Sequence, residues 1–252
     1  MQTKIKTTEE IDAMRVSGQM LAEVLEDLKK HLKPGIDTKQ LAELASKKLK
    51  TLGGEPAFLG YHGFPDVLCV SINDEVVHGI PSVQRIINEG DIVGLDFGVK
   101  YKGMITDSAI SLIAGQPSGQ ISSKLVKTTE RALQSGIDQV KDGAKIGDIA
   151  AAIQRVIESQ GFGVVRDLVG HGVGHELHEE PNIPNFGHPG TGQILKAGMT
   201  FAIEPMTTVG SYEVYTAKDG WTVRTRDHSL SAHFEHTVLV AKTGAEILTV
   251  AT

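Results

Sequence analysis

The segment KPGIDTKQLAELASKKLKTLGG, beginning at Lys33, returns as KDGAKIGDIAAAIQRVIESQGFG, beginning at Lys141, at a constant offset of 108 residues. Gly35 falls on Gly143, Leu41 on Ile149, Ala42 on Ala150 and Gly53 on Gly161. Each copy reads as an amphipathic helix that a glycine ends. Two helices with similar starts also produce such an echo by coincidence. The sharper reading is an internal duplication, in which two similar halves of one fold face each other.

The remaining pattern is mixed. A first helix is expected from Thr8, where a Thr followed by Glu9 and Glu10 suits a capped start and Ile11, Met14, Met20, Leu21, Val24, Leu25 and Leu28 recur at roughly helical spacing until Pro34-Gly35 stops them. A second runs from about Thr38, as cap, to Leu52. Short β-branched runs bounded by turn residues predict strands at 67–72, 91–101, 107–113, 199–205 and 235–241. The expected fold class is α/β (α+β), a mixed or antiparallel sheet with helices on one side. With 252 residues, 40% of them apolar, and no long linker or low-complexity tract, one domain over residues 1–252 is expected.

Charge and cysteine content narrow the partners. A formal charge of −6 disfavours nucleic acid. The single cysteine, Cys69, allows neither an intramolecular disulfide nor a thiolate zinc cluster, which suits a reducing compartment, with cytoplasm the default. The N-terminus is charged where a signal peptide is apolar, and no run reaches about 18 apolar residues, so neither secretion nor a membrane span is expected.

The chemistry lies in carboxylates set inside apolar strand runs: Asp96 in VGLDFG, Glu204 in FAIEP and Glu235 in SAHFEHTVLV. A buried carboxylate needs a cation, hydrogen bonds or a strand end, and taken singly each of these reads more simply as a solvent-facing strand residue. Together with Asp107 in MITDSA and the histidines of GHGVGHELHEEP (170–181), they make the ligand set of a hydrolytic metal site in a cysteine-poor chain. Four carboxylates carry −4 and two divalent ions +4, the charge logic of a two-metal centre with ions roughly 3.5–4 Å apart. Other catalytic templates fail. HELH (175–178) is one residue short of a zincin motif, and Gly170, Gly172 and Gly174 argue against the helix which that motif requires. There is no G-x-S-x-G elbow and no phosphate-binding P-loop, and the glycine run at 170–174 lacks dinucleotide spacing.

GYHGFP (60–65), SINDEVVHGIP (71–81), GDIVGLDFG (90–98), the Asp96-to-Asp107 spacing, GHGVGHELHEEP, GMTFAIEPM (198–206) and EHT (235–237) follow one another in an order that resembles the type I methionine aminopeptidases, of peptidase family M24, over nearly the whole chain. The resemblance implies the pita-bread fold, a pseudo-twofold α/β sandwich with the metal site between its halves, in agreement with the 108-residue echo. It implies that Asp107 and Glu235 bridge two metal ions (Co, Mn, Fe or Zn), that Asp96 chelates one and that His171 with Glu204 completes the other. His78 and His178 are then catalytic and substrate-binding histidines, Glu204 is the general base and acid, and Tyr61, Phe64, Cys69 and Trp221 form the methionine pocket. A bare histidine is more often a satisfied core or loop residue, and a bare aromatic a core residue. Their place inside the matching strings favours the functional reading.

The implied activity is removal of the initiator methionine from nascent polypeptides, with a small second residue preferred and a metal-bridging hydroxide as nucleophile. The implied partner is the N-terminal peptide of a new protein, met by a monomer in transient contact with the ribosome. Only 31 positions separate Glu204 from Glu235, and no N-terminal zinc-binding extension is seen, which points to type I. His233 stands where glutamine is common, and Leu177 at a pocket-rim position that is Phe in some members. The alternatives are a proline-specific peptidase of the same fold, whose members usually carry an additional N-terminal domain, and a non-catalytic binding protein on that fold.

Overall fold

The structure is a computed structural model that describes residues 4–251. Residues 1–3 and 252, the two ends of the expected domain and the start of the charged N-terminal segment, lie outside the described residues. Thr7, one residue ahead of the expected cap, starts α1 (Thr8–His31): its hydroxyl accepts from the Glu10 N–H while the Glu10 carboxylate accepts from the Thr7 N–H. Asp37, again one residue early, caps α2 (Thr38–Leu52) by accepting from the Gln40 N–H at 2.8 Å, and Gly53 ends it at φ 82°. The second copy of the echo forms α4 (Ile146–Glu158). Between them stands α3 (Gln120–Ile137), where the sequence reading assigns no element.

The echo is structural. Gly35 N–H donates to the Ile87 carbonyl at 2.8 Å and Gly143 N–H to that of Leu195 at 3.0 Å. Isolated β-bridges join Asp37 to Ile86 and Lys145 to Ile194. Each member of one set lies 108 residues from its counterpart, and coincidence between two helices does not reproduce their hydrogen bonds.

A curled nine-stranded sheet crosses both halves in the order β1 (Glu55–Pro56), β4 (Ile92–Tyr101), β5 (Met104–Ile113), β14 (Glu235–Ala241), β9 (Thr200–Ile203), β7 (Gly170–Gly172), β8 (Glu179–Ile183), with β2 (Cys69–Ile72) paired to β4 and β15 (Gly244–Ile247) to β14. Every pairing is antiparallel. Two smaller sheets flank it: β13 (Ser231–His233), β10 (Met206–Thr208) and β6 (Gly163–Val164) in one, β11 (Val214–Thr216), β12 (Val223–Thr225) and β3 (Glu75–Val77) in the other.

Alternation along the strands divides the labour of the two faces. In β4, Val93, Leu95, Phe97 and Val99 are buried in one core with Leu21, Leu25 and Leu28 of α1 and Leu41 and Leu49 of α2. In the other half, Phe201, Ile203, Val238 and Val240 pack with Leu133 of α3 and Ile149 and Ile153 of α4. Each fully buried Leu, Ile or Phe contributes on the order of 1.5–3 kcal/mol. Helices thus cover the outer face of the sheet, and the intervening side chains, Asp96 among them, point to the inner one.

Candidate active site

Strand register assembles the carboxylates. Ala109 of β5 is paired with Asp96 on one side and with Glu235 on the other, and Cys69 is paired with Asp96 beyond. Cross-strand partners share a face, so these four form one row on the inner side of the sheet. Asp107, two residues before Ala109, shares that face. Glu204 follows β9 directly, and the pairing of Gly172 with Phe201 brings His171 beside it. The His171 Nε2 lies 3.4 Å from Glu204 Oε1 and 4.0 Å from Glu235 Oε1.

These positions are costly for charge. Asp96 is 9% exposed, Asp107 4%, Glu235 2% and His171 6%. Burial pushes Asp96 up to about 7 and Asp107, Glu204 and Glu235 well above the ordinary carboxylate range, and the neighbouring carboxylates add to the rise in those last three. Burial takes His171 down to about 3. The solvent-facing reading of the three strand carboxylates therefore fails for the group as a whole.

The donor set fits a divalent metal. Asp96 Oδ1, Asp107 Oδ1 and Glu235 Oε1 are buried without a hydrogen-bond partner. Asp107, His171 and Glu235 each offer a ligand atom within 4.8 Å of the others. His171 Nδ1 lies 3.0 Å from the Gly172 carbonyl, which can only accept, so Nδ1 carries the hydrogen and Nε2 turns a lone pair toward the carboxylates. Oxygen and imidazole donors gathered around orphaned anionic atoms are what Mn, Fe, Co or Zn would satisfy.

The backbone beneath is held by polar side chains that the sequence reading passed over. Thr237 Oγ1 accepts from the Asp107 N–H at 2.9 Å and donates to the Asp107 carbonyl at 2.8 Å. Ser108 Oγ donates to the Glu235 carbonyl at 2.6 Å, and Asn185 Nδ2 to that of Glu204 at 3.0 Å. Ser108 follows Asp107 directly and Thr237 stands two residues after Glu235, the one signal that marked them.

The eleven catalytic, metal-binding and substrate-binding candidates of the sequence all line one cleft of about 530 Å³, its open mouth included. Phe64, Cys69 and Trp221 belong to one apolar cluster that forms a recess in the cleft lining, with the Phe64 and Trp221 rings 5.2 Å apart, edge to face. Phe58 and Leu177 line it too. Phe58 was missed, standing just outside the GYHGFP string. Tyr61 does more than line the recess: its hydroxyl is 2.7 Å from His178 Nδ1. His178 lies against His171, ring centroids 4.2 Å apart, and His78 stands 6.5 Å from Trp221. His233 is buried behind Glu204, its Nε2 3.7 Å from Glu204 Oε2.

Comparisons with known proteins agree with this geometry. The model of metallopeptidase family M24 matches residues 12–242. Methionine aminopeptidase 1 of Bacillus subtilis (strain 168) is 46% identical over 244 residues, covering 97% of this chain and 98% of its own. The methionine aminopeptidase of Escherichia coli (strain K12) is 43% identical over 250 residues, covering 99% and 94%. The crystal structure of methionine aminopeptidase from Thermotoga maritima superposes with a TM-score of 0.97 at 45% identity, covering 99% of this chain and all of that one. Prolidase from Pyrococcus furiosus shares the fold alone, with a TM-score of 0.78 at 23% identity, and this chain spans 66% of it. The chain belongs to metallopeptidase family M24 and, within it, to the methionine aminopeptidases.

Proposed function

We propose that this chain hydrolyses the first peptide bond of polypeptides that begin with methionine, with two divalent ions held by Asp96, Asp107, His171, Glu204 and Glu235. The observation that carries the reading is the junction of an apolar, aromatic-walled recess with a cage of carboxylates in one cleft. A flexible thioether suits the recess formed by Phe58, Phe64, Leu177 and Trp221. Two ions rather than one match the four carboxylates in charge.

When bound, divalent ions in such a cage supply Lewis acidity, lowering the pKa of water from about 15.7 toward roughly 7 and polarising a carbonyl. The protein's own groups do the rest. Asp96, Asp107, His171, Glu204 and Glu235 would hold the ions, with Asp107 and Glu235 shared between them. Glu204, as a carboxylate beside His171, would take a proton from water and pass it to the departing amine. His178 and His78, both lowered by burial, His78 to about 4, face the cleft as neutral imidazoles able to hydrogen-bond the carbonyl oxygen as charge develops on it. A small second residue is the preference that the resemblance to the methionine aminopeptidases implies.

The proposal extends to one catalytic domain over residues 1–252, acting as a monomer in the cytoplasm, where new N-termini arise, with transient contact at the ribosome. In support, no helix among the described residues is long and apolar enough to cross a membrane. A proline-specific peptidase is disfavoured by the low identity to prolidase, and a non-catalytic protein by the retention of all five donors.

Release of free methionine from Met-Ala-Ser and Met-Lys-Ser by chelator-stripped protein, before and after addition of Mn, Fe, Co or Zn, tests the reading. Cleavage of the Ala peptide alone, restored by metal, is expected. No cleavage with any of the four metals overturns it.

A further inference from the structure

The sheet of β11, β12 and β3 forms one wall of the cleft. His78 follows β3 directly, and Trp221 precedes β12 by two residues. The carboxylates stand on the other, nine-stranded sheet, so the width of the cleft depends on what ties the two together.

Beside the backbone bond from the Val70 N–H to the Gly79 carbonyl at 2.8 Å, Glu75 of β3 supplies the side-chain tie. It is 6% exposed. Its Oε2 accepts from the Ile72 N–H, at the end of β2, at 2.8 Å and from the Arg85 guanidinium. Its Oε1 accepts from Nη2 of Arg224, its cross-strand partner in β12, at 2.5 Å. Arg85 donates in turn to the Val70 carbonyl at 3.1 Å and the Ile80 carbonyl at 2.6 Å, one on each side of the turn that carries His78. Since β2 pairs with β4 through Cys69 and Asp96, the tie reaches the carboxylate row itself.

The turn is held under constraint. His78 sits at φ 60°, which a residue with a side chain keeps only where its surroundings over-determine it. Gly79 packs so closely that a Cβ there would meet the Val70 carbonyl oxygen at 2.1 Å. Two guanidinium groups aimed at one buried carboxylate are more than stability asks, since an apolar replacement of such a group is often neutral or stabilising.

We propose that Glu75, clamped between Arg85 and Arg224, is a positioning residue for the reaction: it sets the distance of the His78 wall from the carboxylate floor and acts through His78 without touching substrate. This rests on the methionine aminopeptidase reading above. Glutamine at this position would turn an amide N–H₂ toward a guanidinium and release one side of the tie.

The test is a double-mutant cycle on metal-loaded enzyme with Met-Ala-Ser. Glu75→Gln is expected to lower kcat by about 10- to 100-fold, the scale that an ångström of misplacement costs, with KM and bound metal unchanged. In a His78→Ala background the same change is expected to cost less than about twofold. Arg224→Gln, which loosens one clamp only, should give a smaller loss with the same dependence on His78 and serves if Glu75→Gln does not fold. Equal losses in both backgrounds, loss of metal, or an unchanged kcat in both variants overturns the inference. A wild-type enzyme that releases no methionine with any metal overturns the reading beneath it, and the inference with it.

Discussion

His171 holds its Nε2 3.4 Å from Glu204 Oε1 and has no hydrogen to give it. The ring's hydrogen is committed on Nδ1 to the Gly172 carbonyl, and burial takes the imidazole down to about 3, so a lone pair faces a carboxylate. Two acceptors so placed call for a proton or a metal ion between them, and the orphaned carboxylate oxygens around the pair favour the metal. His171→Ala is therefore expected to lower the metal bound per chain and to cut kcat by more than the roughly 10–100-fold that loss of an outer hydrogen-bond partner costs. Elemental analysis alongside kinetics checks it, and a fully active variant would sink the dinuclear site.

Metal uptake should expel protons. Burial raises the pKa of all four site carboxylates, Asp96 to about 7, so near and below that pH the metal-free site holds protons that an arriving ion must displace. The sign follows: more protons leave per ion at pH 6 than at pH 8, and affinity rises with pH across that interval. Titration calorimetry in two buffers of different ionisation enthalpy reads the number directly. Equal release at the two pH values contradicts it.

The site was legible in the sequence because a carboxylate inside an apolar strand is an anomaly that only a few arrangements resolve, and Asp96, Glu204 and Glu235 present it three times. Asp96 and Glu204 even stand 108 residues apart, one in each half. Helix α3 was illegible for the opposite reason. Its cap position, Gly119, has no side chain, its first turn no acid and its last no base. Its buried face includes Ser122, Thr128, Thr129 and Gly136, so the apolar stripe that would have announced it is broken. The caps at Thr7 and Asp37 were missed by one residue because Thr8 and Thr38, next in line, are capping types too. The bond between Tyr61 and His178 spans 117 residues, and no local pattern encodes it.

That bond makes Tyr61 a test of how His178 is oriented. With its hydroxyl 2.7 Å from Nδ1, Tyr61 fixes the ring and its tautomer, whereas the aromatic ring alone suffices to line the cleft. Tyr61→Phe keeps the ring and removes the bond. A loss of about 0.5–1.5 kcal/mol, or roughly two- to tenfold, is expected in kcat with KM little changed. A rise in KM at constant kcat would assign Tyr61 to methionine binding instead.

Lys6 anchors the N-terminal segment to the loop that leads into His178. Its side chain is 1% exposed and its ammonium lies 2.7 Å from Glu179 Oε2, while Glu179 Oε1 accepts from the N–H groups of His175 and Glu176. Burial raises the Glu179 pKa, but the bonds from Lys6 and the two backbone groups outweigh it and hold the carboxyl below its usual value. A depressed folded-state pKa contributes stability that is present above the unfolded value of about 4.3 and is lost as pH falls through the folded one. Lys6→Met leaves that carboxylate without its cation and should destabilise the fold by about 3 kcal/mol at pH 7. Near pH 4, where protonation relieves the unpaired charge, the gap to wild type should narrow. Arg15→Ala, which breaks the exposed pair with Glu246, should cost less than about 1 kcal/mol. Urea unfolding of the three proteins at both pH values measures the difference, and an equal cost for the two variants at pH 7 would mean that the buried pair is as expendable as the exposed one.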